Sequence, residues 1–531
     1  MRFRHGAALG RNDTCRCLSR ARLAELTGYP DPLIYPSEFA ETGNSFRTQI
    51  ETSESVDHIH GILKRYFGYD SFRASQERVI RHVLAGGDAL TIMPTGMGKS
   101  LCYQVPACAL PGLTLVISPL IALMKDQVDA LVAKGIDAAY INSSLTSEQR
   151  RQRYEGISNG AYKLLYVTPE RFRKKEFVER ITQRHISLLA VDEAHCISEW
   201  GHDFRPDYTR LREFRALLSD PTTIALTATA TPDVQQDILH QLGLDASRTP
   251  LFHEGIDRPN LTLEVRTVWG EQEKLDNILE LISENPGSGI VYFSLIKTLK
   301  AFSELLQKKR VPHLCYHGGL ESEDRRRVQD RFMGEDGHLV LATNAFGMGI
   351  DKEDIRFVIH AELPGTLEAY YQEIGRAGRD GKPSVCALLY DEQDLLIQMD
   401  FLKWNNPDAA FYQRVYDLLS ERRQEVNAYG LEWLKEQLHF KNRHDYRLET
   451  VLSMLDRYGV ISGHPEEKNV QITAALPPEL TDEDWLAGKL QKEQKKLYAL
   501  VQYAKYEGPL KAFIHEYFGL PVPAEEEVPG A

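Results

Sequence analysis

The chain has 531 residues, is 42% hydrophobic and 26% charged, and carries a net charge of −13 at neutral pH. That length implies three or four domains, because single cores rarely grow past roughly 250–300 residues, and no apolar run approaches the roughly 18 residues of a membrane span. The acidic sum weighs against a basic nucleic-acid-coating protein, though a local basic groove can still hold phosphates, and seven scattered cysteines argue against a disulfide framework and for a reducing compartment.

Residues 1–54 lack periodicity and read as an irregular extension without the apolar core of a secretory signal. Cys15 and Cys17 lie there, but two thiolates do not complete a tetrahedral zinc site. Over residues 55–250, helical patterns alternate with apolar strands at 89–92, Leu113–Ser118, Leu164–Val167, 186–191 and Thr223–Leu226. That rhythm predicts a parallel sheet with helices on both faces. The strand 89–92 runs into Met93-Pro94-Thr95-Gly96-Met97-Gly98-Lys99-Ser100. Successive backbone N–H groups over Thr95, Gly96, Met97 and Gly98 would form an anion nest at a helix N-terminus. Lys99 is expected to reach the β/γ-phosphates of a nucleotide, and the Ser100 hydroxyl to hold Mg²⁺. The strand 186–191 ends in Asp192-Glu193-Ala194-His195. A carboxylate at a strand's C-terminal end is where the nucleotide's metal needs a second anchor, so Asp192 is expected to hold Mg²⁺. Glu193 is expected to polarise the attacking water as general base, and His195 to couple the nucleotide to a neighbouring loop. The two motifs together predict an NTPase.

Residues 250–260 read as a linker, and a second α/β unit, 251–400, follows with strands at Gly289–Phe293, Leu314–His317, Leu339–Thr343, Phe357–His360 and Val385–Tyr390. It has no phosphate loop of its own, but carries Gln372-Glu373-Ile374-Gly375-Arg376-Ala377-Gly378-Arg379. Arg376 and Arg379, three apart on a helical turn, point the same way. ATP is therefore expected in the cleft between the units, where an arginine supplied from the far side neutralises charge on the transferring phosphoryl group. Past residue 400, Phe411/Val415/Leu418/Leu419, Leu431/Leu434/Leu438 and Leu448/Val451/Leu452/Leu455 have helical spacing. Gly459 stops the third helix, and Val460-Ile461 with Val470-Gln471-Ile472 make a short hairpin.

In this order the segments resemble the RecQ family of DNA helicases, in helicase superfamily 2, over residues 60–395. The resemblance implies two tandem RecA-like parallel-sheet domains, then a winged helix over 405–476 and a helical tail over 477–531. Phe67-Gly68-Tyr69-Asp70-Ser71-Phe72-Arg73-Ala74-Ser75-Gln76 resembles the family's adenine-recognition segment. By that likeness Tyr69 stacks on the base, Gln76 bonds its edge and Arg73 assists, and Gln372 joins Arg376 and Arg379 at the nucleotide. Leu226-Thr227-Ala228-Thr229-Ala230 resembles the coupling motif, whose hydroxyls on Thr227 and Thr229 link the nucleotide to the DNA track. The segment His195–Tyr208, with Trp200, His202, Phe204 and Arg205, resembles the family's aromatic-rich loop. There bases of any identity would stack for about 1–3 kcal/mol each.

The departure lies in the tail. RecQ proteins carry four zinc-ligating cysteines on a helical platform, yet no cysteine follows Cys386, and Pro509 stands where the first ligand would be. Either the chain is a zinc-free branch or its sequence is truncated; no structural zinc is expected, and the remaining length leaves no room for the family's further C-terminal domain. The resemblance implies an enzyme using ATP and Mg²⁺ that moves 3′ to 5′ on single-stranded or forked DNA in recombination and repair. Single-strand-binding and recombination proteins are the expected partners, with no membrane, in nucleoid-associated cytoplasm or in the nucleus of a eukaryote. A DNA-stimulated ATPase that remodels protein–DNA complexes or anneals strands is the alternative.

Overall fold

The computed structural model describes residues 54–94, 96–119, 121–142, 144–198, 208, 210–253, 258–347, 350, 352–438 and 446–520. The first sheet contains β1 (Ala89–Ile92), β2 (Leu113–Ile117), β3 (Ala138–Ile141), β4 (Leu164–Val167), β5 (Ile186–Val191), β6 (Thr222–Thr227) and β7 (Leu251–His253). Its order is β3-β4-β2-β5-β6-β1-β7, and every pairing is parallel. These strands are apolar on both faces because helices cover both. Along β2, Leu113, Leu115 and Ile117 pack into one core with Tyr154, Phe177 and Ile238, while Val116 joins the opposite core with Val79, Tyr103 and Val128.

The second sheet contains β8 (Leu261–Thr267), β9 (Ser288–Tyr292), β10 (Leu314–Tyr316), β11 (Leu339–Ala342), β12 (Ile355–His360) and β13 (Ser384–Tyr390), in the order β10-β11-β9-β12-β13-β8, again all parallel. Alternation places Ile290 and Tyr292 in one core, Val291 and Phe293 in the other.

Three strands fell outside the sequence expectation. β3, Ala138-Ala139-Tyr140-Ile141, is short and rich in alanine. β7 lies inside the stretch read as a linker: Leu251 and Phe252 pair with Leu90 and Thr91, so residues 251–253 belong to the first sheet. β8 is mostly half-buried, Leu261 alone being fully buried, because it is an edge strand, beside β13 only.

After β13 the chain forms helices Ala409–Glu421, Arg423–Tyr429, Leu431–Gln437 and Arg447–Arg457, and a two-stranded hairpin, β14 (Ile461–Ser462) with β15 (Gln471–Ile472). Phe411, Val415, Leu419, Leu434, Val451 and Leu455 form its core, the positions that helical spacing picked out. Helices Glu483–Ala504 and Leu510–Tyr517 follow, and Leu500, Tyr503, Ile514 and Phe518 insert into the second sheet's core. No described helix is long and apolar enough to cross a membrane.

Candidate functional site

Strand order assembles the site. β5, β6 and β1 are adjacent and parallel, so their C-terminal ends stand side by side, about 4.8 Å apart per strand. β1 delivers the Gly-Lys-Ser turn, β5 delivers Asp192 and Glu193, and β6 ends at Thr227. In an open parallel sheet the carboxyl edge is where ligands bind.

The turn needs its glycines. Gly96 and Gly98 have φ of +82° and +77°, a region that side chains other than glycine's disfavour. A side chain would also press on neighbours from other segments. A Cβ on Gly98 would lie 2.5 Å from Gln76 Nε2, and one on Gly96 would lie 3.1 Å from the Arg379 side chain. Ser100 then precedes the helix Leu101–Ala109, whose first N–H groups, on Leu101 and Cys102, donate to the carbonyls of Gly98 at 3.1 Å and Lys99 at 3.0 Å.

Lys99 Nζ lies 3.8 Å from Glu193 Oε1, both side chains nearly buried at 12% and 14% exposure. Glu193 Oε2 lies 3.3 Å from His195 Nδ1, which is 2.9 Å from Thr227 Oγ1. The Thr227 hydroxyl donates to the Thr229 carbonyl at 3.2 Å and accepts the Thr229 N–H at 3.1 Å. With its donor used on Thr229, Thr227 receives a proton from histidine, so Nδ1 carries the hydrogen. A row of polar side chains thus leads from Lys99 through Glu193 and His195 to the Thr-Ala-Thr segment, with ion-pair distances at Glu193 and a hydrogen bond from His195 to Thr227. Glu193 itself sits at φ +48°, ψ +48°. A left-handed glutamate costs about 1–2 kcal/mol, and strain of this kind gathers at functional sites.

Asp192 is half-buried, its Oδ1 accepting the Glu193 N–H at 3.0 Å. Burial and the like charge of Glu193 push its carboxyl up to about 7, against the pull of Lys99 and that N–H. A buried carboxylate held that high wants a cation beside it. With the Ser100 hydroxyl it makes an all-oxygen donor set of the hard kind that suits Mg²⁺, so the residues present fit the metal.

The expected adenine readers lie beside the turn. Tyr69 is 58% exposed. Gln76 is buried, and protein engages both ends of its amide: Nε2 donates to the carbonyls of Met97 at 2.9 Å and Gly98 at 3.3 Å, and Oε1 accepts the Arg73 N–H at 3.0 Å. Reading a base edge therefore requires exchange of these bonds. Arg73 Nη1 contacts Met97 Sδ at 2.9 Å and the Gly96 carbonyl at 3.5 Å.

From the second sheet, Arg379 packs its aliphatic stem on Gly96, whereas Arg376 is buried and donates to the carbonyl of Gly347 within its own lobe. The two arginines, expected to point together, make different contacts, although the charges of both reach the Tyr292 phenol; the helix that precedes them ends at Ile374, and Gly378 turns left-handed at φ +56°. Gln372 is half-buried on the helix Leu367–Ile374. Thr95, Trp200, His202, Phe204 and Arg205 lie outside the described residues, as do Cys15 and Cys17.

Sequence reasoning missed Arg258 and Asn260, which bind the carbonyls of the turn carrying Arg376 and Arg379. Their only signal was a charged and an amide residue flanking Pro259 in a stretch read as a connector.

Residues 73–238 match the model of the DEAD/DEAH box helicases, and residues 273–381 match the helicase conserved C-terminal domain. The ATP-dependent DNA helicase RecQ of Bacillus subtilis is 48% identical over 347 residues, 65% of this chain and 58% of the relative. The probable ATP-dependent DNA helicase RecS of the same organism is 45% identical over 64% of this chain and 69% of its own length. The chain belongs to the RecQ family. It spans less than two thirds of the B. subtilis RecQ sequence. Among solved structures, S. cerevisiae Dbp5 bound to RNA and ADP BeF3 superposes with a TM-score of 0.51 at 19% identity, over 66% of this chain and 91% of that one. The two parallel-sheet units of this RecQ-family chain are the expected tandem RecA-like pair.

Proposed function

We propose that this chain is an ATP-dependent DNA helicase that moves 3′ to 5′ along single-stranded DNA and opens forked or partial duplexes in recombination and repair. The observation that carries this reading is Arg379 of the second lobe seated against Gly96 of the first lobe's phosphate turn. A nucleotide in that turn is then within reach of both lobes. Lys99 leaves Glu193 for the β/γ-phosphates, and Glu193, relieved of its cation, takes the proton of the attacking water. Asp192 and Ser100 would hold Mg²⁺, which would supply positive charge to offset that of the phosphates. Tyr69, Arg73 and Gln76 recognise adenine, and Gln372 and Arg376 complete the second lobe's share. Thr95, Met97 and Gly98 contribute backbone N–H groups. His195, Thr227 and Thr229 report the state of Glu193 to the DNA track, where Trp200, His202, Phe204 and Arg205 hold unpaired bases. Loss of the γ-phosphate removes the anion that Arg379 faces, so the lobes part, which turns hydrolysis into a step.

The helical module with its hairpin is read as a winged helix engaging duplex DNA, with Arg447 and Lys468 as phosphate contacts. Arg443 and His444, expected to join them, lie outside the described residues. Single-strand-binding and recombination proteins are the proposed partners. Strand displacement tests the reading. A 3′-tailed duplex should open with ATP but not with a non-hydrolysable analogue, and a 5′-tailed one should not open. Opening with both nucleotides would reduce the protein to a passive binder. Robust DNA-stimulated hydrolysis without displacement would favour the remodelling ATPase.

A further inference from the structure

Arg258 and Asn260 stand between β7 of the first sheet and β8 of the second, in the stretch that joins the lobes. Arg258 is half-buried, and its Nη2 donates to the carbonyls of Ala377 at 2.9 Å and Gly378 at 2.8 Å, its Nη1 to that of Gly375 at 3.4 Å. Asn260 Nδ2 donates to Gly378 again at 2.8 Å and to Lys382 at 2.9 Å. The carbonyl of Arg258 accepts in turn from Lys511 Nζ of the tail helix at 3.1 Å. The bonded carbonyls flank Arg376 and directly precede Arg379. A Cβ on Gly378 would fall 2.4 Å from Asn260 Nδ2, so the turn has closed tightly on its clamp.

A guanidinium presents its donors in one rigid plane. Three carbonyls of a single turn converging on that plane fix the turn's orientation, where a lysine's point charge would leave it to swivel. Withdrawing the fork would take a donor from the carbonyls of the buried residues Gly375 and Ala377 and leave Gly378 held by Asn260 and the Gly381 N–H alone. Arg379 follows immediately, and its stem rests on Gly96 across the cleft.

We propose that Arg258, seconded by Asn260, is a positioning residue for the second lobe's arginine turn. It touches no reacting group, but it sets where the Arg379 guanidinium stands relative to the phosphates. Because the clamp sits in the inter-lobe connector, rotation of the lobes and aim of Arg379 are mechanically one event. This inference rests on the ATPase reading above.

The test is a mutant cycle on single-strand-stimulated hydrolysis with Arg258→Gln, Asn260→Ala, Arg379→Ala and the double variant Arg258→Gln/Arg379→Ala. Misplacing a catalytic group by about 1 Å lowers rates about 10²-fold, so Arg258→Gln should lower kcat by tens-fold to that extent. Affinity for a fluorescent ADP should stay within about threefold of the parent, since the phosphate turn is untouched. Asn260→Ala should move kcat the same way by less. The decisive readout is the double variant, which should be no slower than Arg379→Ala alone, because a positioning residue has nothing left to position. A residue that merely supports the fold would multiply its loss onto that of Arg379→Ala. Multiplied losses overturn the proposal, as does weakened nucleotide affinity with kcat retained. If Arg258→Gln does not fold, Asn260→Ala and its double with Arg379→Ala decide on the same criteria; loss of fold in both single variants makes the clamp a scaffold and overturns it too. A parent that hydrolyses no ATP refutes the ATPase reading and this inference with it, whereas a hydrolysing parent with multiplied losses refutes this inference alone.

Discussion

Glu193→Gln separates chemistry from binding more cleanly than any other single change. Glutamine keeps the volume, the left-handed backbone at φ +48° and a polar atom for His195, and removes only the charge and the basicity. Lys99 lies 3.8 Å from that charge. At an effective dielectric near 20, such a pair attracts with roughly 4 kcal/mol. Both side chains are nearly buried, so screening is modest, but desolvation offsets much of the attraction. A nucleotide must draw Lys99 out of this pair. With glutamine in place the competition vanishes, and nucleotide affinity should hold or rise by up to about tenfold, the equivalent of about 1.4 kcal/mol. Hydrolysis loses its proton acceptor, and kcat should fall about 10²–10⁴-fold. Steady-state hydrolysis at saturating ATP and single-stranded DNA gives the first quantity, and titration of a fluorescent nucleotide gives the second. A variant turning over within about threefold of the parent would falsify the base assignment. Parallel losses of affinity and rate would instead make Glu193 part of the binding pocket.

Arg379→Ala should lower stimulated kcat about 10³-fold, the scale of a supplied arginine, with nucleotide affinity little changed; a pure affinity loss would contradict its cross-cleft role. Trp200→Ala with Phe204→Ala should leave basal hydrolysis intact and abolish its stimulation by single-stranded DNA, and full stimulation would refute the assignment of that loop. Asp192 is raised to about 7, so without metal its carboxyl is mostly protonated at pH 6 and ionised at pH 8. Mg²⁺ must displace that proton. Its affinity should therefore weaken as pH falls through 7, and calorimetry near pH 6.5 in buffers of different ionisation enthalpy should register proton release; a pH-independent affinity would place the metal elsewhere.

The nucleotide half of the site was legible because its chemistry is local. A phosphate nest needs left-handed residues at close, alternate positions, as at Gly96 and Gly98, and the acidic pair needs a strand end, so both leave marks within a few positions of sequence. Strands β2, β4, β5, β12 and β13 were legible for the same reason, as continuous apolar runs buried on both faces. What stayed hidden depends on partners far along the chain. β7 is a strand because β1 offers it an edge, and its own exposed and half-buried residues carry no burial pattern. Arg258 is separated from Gly378 by 120 positions, and no periodicity reports a guanidinium bonded to backbone. The different contacts of Arg376 and Arg379 turn on where a helix stops and a glycine turns back, a boundary that spacing alone sets poorly.

The phosphate turn is also where distant parts of the chain meet. Gln76 holds its Met97 and Gly98 carbonyls from the side of the adenine readers, Glu193 faces its lysine from the side of the coupling threonines, and Arg379 covers Gly96 from the other lobe. Each contact falls on a different residue of the turn, so none blocks another. On the proposed reading, a nucleotide entering the turn must loosen the first two while giving the third a charge to face. Base recognition, signalling to the DNA track and lobe closure are thereby made conditional on one occupant, and the glycines allow it because neither has a side chain in the way.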